Sequence, residues 1–190
     1  VTMRYLAKGI VKEQSTEYIL RINHFGNEFV LTGLRAGLWL DARLHIAETD
    51  GKDFNEEKEL RQLRKMGLVE EIGPGPVDEY RALTHCVIVP AQHRGLSLPL
   101  APVENNLLRW ITGAGLRLTM AELVYLEEHK IAPEVGWLGE ENRQKLTELI
   151  YTTDTIFDNI LETQMEAAEC RDRTVQTVLS LLRKKRILLL

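Results

Sequence analysis

One ten-residue phrase occurs twice in this chain. The first copy is Leu60-Arg61-Gln62-Leu63-Arg64-Lys65-Met66-Gly67-Leu68-Val69, and the second is Leu179-Ser180-Leu181-Leu182-Arg183-Lys184-Lys185-Arg186-Ile187-Leu188. In each, leucines three apart share one face of a helix, a basic turn follows, and an apolar pair then starts a strand. A chain that ends a helix this way twice is constrained to contain two modules with a common helix-to-strand exit.

The sequence around the first copy completes a module. Met3 to Glu13 and Glu17 to His24 read as short strands, with Tyr18-Ile19-Leu20-Arg21-Ile22 carrying β-branched and aromatic residues at strand spacing. Phe25-Gly26-Asn27 is a turn, and Phe29-Val30-Leu31 a third strand. Thr32 then opens a helix with Leu34, Leu38, Trp39, Ala42 and Ile46 at helical period, closed by Thr49 to Asp53. Asn55 caps the next helix, with Glu56 and Glu57 in its first turn, where the helix dipole favours acids. Gly67 closes that helix, and Leu68 to Ile72 is a strand. Gly73-Pro74-Gly75-Pro76 reads as a hairpin tip, with Tyr80 to Leu83 returning as the partner strand and Cys86 to Val89 as a further β-rich run.

The proline-bearing stretch from Pro90 to Pro102 reads as a linker. Beyond it the spacing predicts a short helix through Leu107 and Ile111 that stops at Gly113-Ala114-Gly115. A helix capped by Thr119 follows, with Glu122 in its first turn, then another over Glu140 to Tyr151. Thr153-Asp154 restarts the chain into an apolar stripe of Ile156, Phe157, Ile160, Leu161 and Met165. Arg171 to Thr174 breaks that stripe, and Asp172 or Thr174 caps a last helix with Val175, Val178, Leu179 and Leu182 inward. An unpaired Ile187 to Leu190 edge would be costly, so it is expected to pair with the N-terminal β segment or with a partner chain.

Helix, basic turn, strand, Gly/Pro loop and returning strand over Asn55 to Leu83, and more loosely Thr174 to Leu190, resemble the winged-helix superfamily in tandem arrangement. The resemblance implies an α+β, mainly helical fold: two winged-helix-like domains with short β-hairpin wings and an N-terminal β segment. The expected division is 1–92, a linker at 93–103, and 104–190 with an inserted helix.

Bulk composition narrows the function classes. The chain has 190 residues, 44% hydrophobic and 27% charged, with a net charge of −4, an ordinary globular balance and not that of a non-specific nucleic-acid coat. Two distant cysteines, Cys86 and Cys170, make no disulfide framework. No stretch approaches a membrane span and the N-terminus lacks a signal-peptide layout, so a cytoplasmic location is expected.

The winged-helix resemblance implies double-stranded DNA as partner and a transcription-regulator-like role. The candidate contacts are Arg171, Arg173, Arg183, Lys184, Lys185 and Arg186, which surround only Asp172. The structural alternative is that the last four simply complement the dipole at a helix C-terminus. The equivalent first helix mixes Glu56, Glu57 and Glu59 with its cations and reads as structural. A second functional reading is a non-enzymatic adaptor that binds protein partners, with homodimerisation or partner contact through the 155–168 helix or the 187–190 strand. Gly33 to Gly37 lacks a phosphate-loop pattern. His85, Cys86 and His93 lack a second ligand pair for zinc, and Glu127-Glu128-His129 point to different helix faces. No serine, histidine and acid group together. The expectation is therefore no enzyme, no cofactor and no metal.

Overall fold

Met3–Ala7 (β1) alternates its side chains between two hydrophobic cores. Tyr5 and Ala7 point into one, and Leu6 into the other. In this computed structural model, which describes residues 2–16, 19–92, 98–114, 117–152 and 158–190, that strand is the shared layer of the molecule. The strands after it are Ile10–Thr16 (β2), Ile19–His24 (β3) and Asn27–Thr32 (β4). Next come Gly33–Asp41 (α1), Ala47–Thr49 (β5), Phe54–Lys65 (α2) and Val69–Ile72 (β6). The second half begins with Pro76–Thr84 (α3), Ile88–Pro90 (β7), Pro102–Gly113 (α4) and Met120–Glu128 (α5). It continues with a 3-10 turn at Glu140–Asn142, then Arg143–Ile150 (α6), Asp158–Glu166 (α7), Arg171–Arg183 (α8) and Ile187–Leu189 (β8). The fold is α+β and mainly helical.

All described strand pairs are antiparallel and fall into three small sheets, ordered β5-β1-β6, β2-β3-β4 and β7-β8. Leu20, Ile22 and Leu31 of the second sheet pack on Trp39, Leu60 and Leu63 in the first core. The second core holds Tyr80, Leu83, Trp110, Leu123, Leu161 and most of α8. The α3 and β7 segments, which the sequence reading groups with the N-terminal module, pack in this second core. Arg4 ties the layers together: its guanidinium donates to Gly73 O at 2.7 Å and pairs with Glu79 at 2.5 Å.

The expected hairpin wing of the first module is absent, because a helix occupies its place. Gly75 is the residue before α3, Pro76 its first position, and Asp78 Oδ2 accepts from the Gly75 N–H at 3.0 Å. Proline is pre-set for a first helical turn, and Tyr80 and Leu83, three apart, bury on one side. Tyr80 to Leu83 is thus helix and not a returning strand. The strand that does pair with β6 is β1, from the N-terminal segment.

Other boundaries move for local reasons. The first helix stops at Asp41, and Ala47–Thr49 pairs with β1 where the sequence suggests a helix through Ile46. Asp53, not Asn55, caps α2, accepting from Asn55 N–H at 2.7 Å. Arg171 to Thr174 begin α8 and do not interrupt the chain before it. Thr119 and Glu122 form the reciprocal capping box of α5, at 3.2 and 2.7 Å. Tyr18, His93, Gly115, Thr153, Asp154, Ile156 and Phe157, named in the sequence reading, lie outside the described residues.

The repeated phrase is real in three dimensions but is displaced by one residue. Leu68 N–H donates to Leu63 O after Gly67 at φ 73°, and Arg186 N–H to Leu181 O after Lys185 at φ 58°. Gly67 therefore matches Lys185, although the sequence aligns it with Arg186. A third helix ends identically: Ile131 N–H donates to Leu126 O after Lys130 at φ 53°. A left-handed lysine costs about 1–2 kcal/mol against a right-handed one. Lys130→Gly is expected to stabilise by about 0.5 kcal/mol net of the added unfolded-state entropy. Gly67→Ala should cost about 1 kcal/mol. Urea titrations of the two variants check the opposite signs.

Candidate functional site

The six candidate cations do not form one surface. Arg171 and Arg173 sit in the first turn of α8, while Arg183 to Arg186 lie at its other end, about 18 Å away along a 13-residue helix. Between them Thr174, Val175, Thr177, Val178, Leu179, Leu181 and Leu182 are buried. The helix is a core element packed on α3, α4 and α5. Arg171 pairs with Asp172 at 2.8 Å and donates to Glu166 O. Lys184 is bound by Glu104 at 2.7 Å and donates to Pro99 O at 3.0 Å. Arg186 donates to Leu98 O at 3.4 Å, and its Nε is buried without a partner. Arg173, Arg183 and Lys185 are exposed. The expected wing at Gly73 to Pro76, which would have extended a basic face, is the lead into α3.

Among the described residues Glu104 is the one buried acid. Burial opposes its charge, but hydrogen bonds from Lys184 and Ser180, and from the Ala101 N–H, outweigh burial and hold its pKa at about 2. Its role is structural: it joins α4 to the C-terminus of α8.

Neither cysteine is poised as a nucleophile. Burial pushes the Cys86 thiol up to about 12, and its Sγ–H donates to Ala82 O at 3.4 Å. Burial and the hydrogen-bonded Glu128 push Cys170 up to about 11. His85 lies on the surface against Glu70 at 2.8 Å. Trp39 and Trp110 are buried anchors, with the Trp39 indole N–H donating to Lys8 O at 3.1 Å, while Trp137 is half-buried.

The C-terminal strand is not open. Its partner is β7: Val87 and Leu190 exchange backbone hydrogen bonds at 2.7 and 2.9 Å, and Gly9 N–H donates to Leu189 O at 2.8 Å. Two other edge strands among the described residues are β2 and β4, on either side of the second sheet. They differ in character. The β2 edge presents Lys12, Glu13, Gln14 and Ser15, all exposed and polar, the kind of edge that resists pairing.

The β4 edge is mixed: Asn27, Glu28 and Thr32 are exposed and polar, and Val30 is its one exposed apolar residue. Leu31 points into the core, so alternation turns Val30 outward, where it is 55% exposed. Beyond the strand Leu34 is 44% exposed and Phe54, at the start of α2, 72% exposed. Leu34 and Thr32 face Asn55 across a depression of about 270 Å³, floored by the Arg35–Glu59 pair at 2.6 Å. Three consecutive apolar residues, Phe29-Val30-Leu31, carry the signal in the sequence, because a strand cannot turn all three inward. No helix among the described residues is long and apolar enough to cross a membrane.

No family model, curated protein or solved structure matches this chain.

Proposed function

We propose that this chain is a non-enzymatic protein-interaction module that takes an extended segment of a partner protein along the β4 edge. The observation that carries this reading is the unpaired β4 edge, with Val30 exposed on it and Leu34 exposed just beyond it. A strand edge supplies backbone donors and acceptors for an added strand, and exposed apolar side chains beside it supply specificity. Support against the DNA-binding reading is the division of the basic set. Lys184 is neutralised by Glu104, and the exposed face of α8 is mixed, with Asp172 and Gln176 beside Arg173 and Arg183, while its other side is buried in the core.

The test uses a displayed library of linear peptides selected on the 190-residue chain. Selected peptides are expected to protect the amides of residues 27–32 from hydrogen exchange. Val30→Lys and Leu34→Lys should each weaken them by tenfold or more, with unfolding midpoints unchanged because both positions are exposed. Peptides that bind both variants equally would remove β4 from the site. A labelled random duplex is measured in parallel by anisotropy. Salt-sensitive binding lost in the combined Arg173→Ala, Arg183→Ala, Lys185→Ala variant, without peptide selection, would reverse the reading in favour of DNA.

A further inference from the structure

A second groove lies away from β4, where the two halves of the chain meet. It has a volume of about 580 Å³ and is walled by β2, the end of α1, β7 and β8. Val11, Leu44 and Leu188 give it an apolar lining, and Lys12, Arg43 and Lys185 are its charged groups. No lining residue is acidic.

Arg43 is the informative member. It is half-buried, and its guanidinium carbon lies 6.0 Å from the centroid of the Trp39 ring. No ion pair to Arg43, Lys12 or Lys185 forms among the described residues, although every other partly buried arginine of the N-terminal half, Arg4 and Arg35, has a carboxylate. Burial lowers the Arg43 pKa, consistent with a cation that lacks an anionic neighbour. A half-buried cation without a counter-charge is costly, and a bound anion removes that cost. Lys185, left-handed at φ 58° at the end of α8, lines the groove.

We infer that this groove binds a small amphipathic anion, with a carboxylate or phosphate monoester held by Arg43, Lys12 and Lys185 and an apolar body on Val11, Leu44 and Leu188. The volume suits a small molecule, since such sites run to roughly 300–1,000 Å³ and combine apolar walls with a few polar anchors. A DNA duplex would meet the exposed lysines but not a guanidinium set against Trp39.

The experiment titrates the full chain with the anionic dye 8-anilinonaphthalene-1-sulfonate and displaces it with decanoate, decyl phosphate or decyltrimethylammonium. The expected result is a saturable signal displaced by either anion and not by the cation. Lys12→Glu combined with Lys185→Glu should weaken the dye by tenfold or more. Both side chains are exposed, so this variant should stay folded. Arg43→Gln should act in the same direction, and circular dichroism verifies its fold. Unchanged affinity in the lysine variant, or equal displacement by the cation, would overturn the assignment. Val30→Lys must leave the dye signal intact, which separates this groove from the β4 edge.

Discussion

Removing Ile187 to Leu190 is expected to abolish cooperative folding. Ile187, Leu189 and Leu190 are buried, and each such aliphatic side chain contributes about 1.5–3 kcal/mol when fully buried. Three of them approach the whole stability of a typical domain, about 5–15 kcal/mol. The loss is not confined to the apolar term. Val87, Ala91 and Gly9 all donate backbone hydrogen bonds to this segment or the turn before it. Their N–H groups would be left buried or wet at the joint between the two cores. The milder variant, Leu189→Ala, should cost about 2–4 kcal/mol and retain the fold. Urea titrations followed by circular dichroism measure both. Amide exchange at Gly9 should accelerate in Leu189→Ala, because that N–H bonds to Leu189 O. A shortened chain with the parental midpoint would show that β8 is an appendage and not a joint.

This joint marks the limit of what the sequence could tell. Element type was legible where periodicity was long or caps were explicit. The Leu60–Met66 helix, the Thr119–Glu122 box and the helical face of Val175, Val178, Leu179 and Leu182 all stand. The helix over Pro76–Thr84 was missed because Gly73-Pro74-Gly75-Pro76 carries turn chemistry, and a proline that ends one element is also the best first residue of the next. Local residues do not encode strand partners, so nothing in Ile187 to Leu189 specifies β7, and nothing in Met3 to Ala7 specifies β5 and β6. The basic set illustrates the same limit. Charges adjacent in sequence at Arg183 to Arg186 point different ways in space, and the acid that neutralises Lys184 comes from 80 positions earlier. Val30, Leu34 and Phe54 were present in the sequence as apolar residues, but their exposure depends on which face the first core covers.

Glu104→Gln is expected to cost about 2–3 kcal/mol at neutral pH, below the roughly 3–5 kcal/mol for breaking a fully buried pair because the Lys184 side chain is 24% exposed. The amide oxygen can still accept from Ala101 N–H, and the amide NH2 then faces the Ser180 hydroxyl, which can accept from it, so most of the loss reports the charge. Its pH dependence follows from the direction of the shift. The folded-state pKa of Glu104 lies below its ordinary value, at about 2 against 4.5. Its contribution is therefore complete above pH 4.5 and is lost as pH falls toward 2. The gap between the urea midpoints of the parent and Glu104→Gln should be widest at pH 7, slightly narrower at pH 4 and down to about a quarter of its full size at pH 2.5. Lys184→Met supplies the opposite perturbation. It leaves the carboxylate buried with only Ser180 and the Ala101 N–H, so burial regains weight and the Glu104 pKa should rise. That variant should begin to lose stability at a higher pH than the parent. Replacing both residues, Glu104→Leu with Lys184→Met, should be far less damaging than either single change, since no unpaired charge remains in the core. A gap that stays constant from pH 7 to pH 2.5 would show that Glu104 acts through packing and not through its charge.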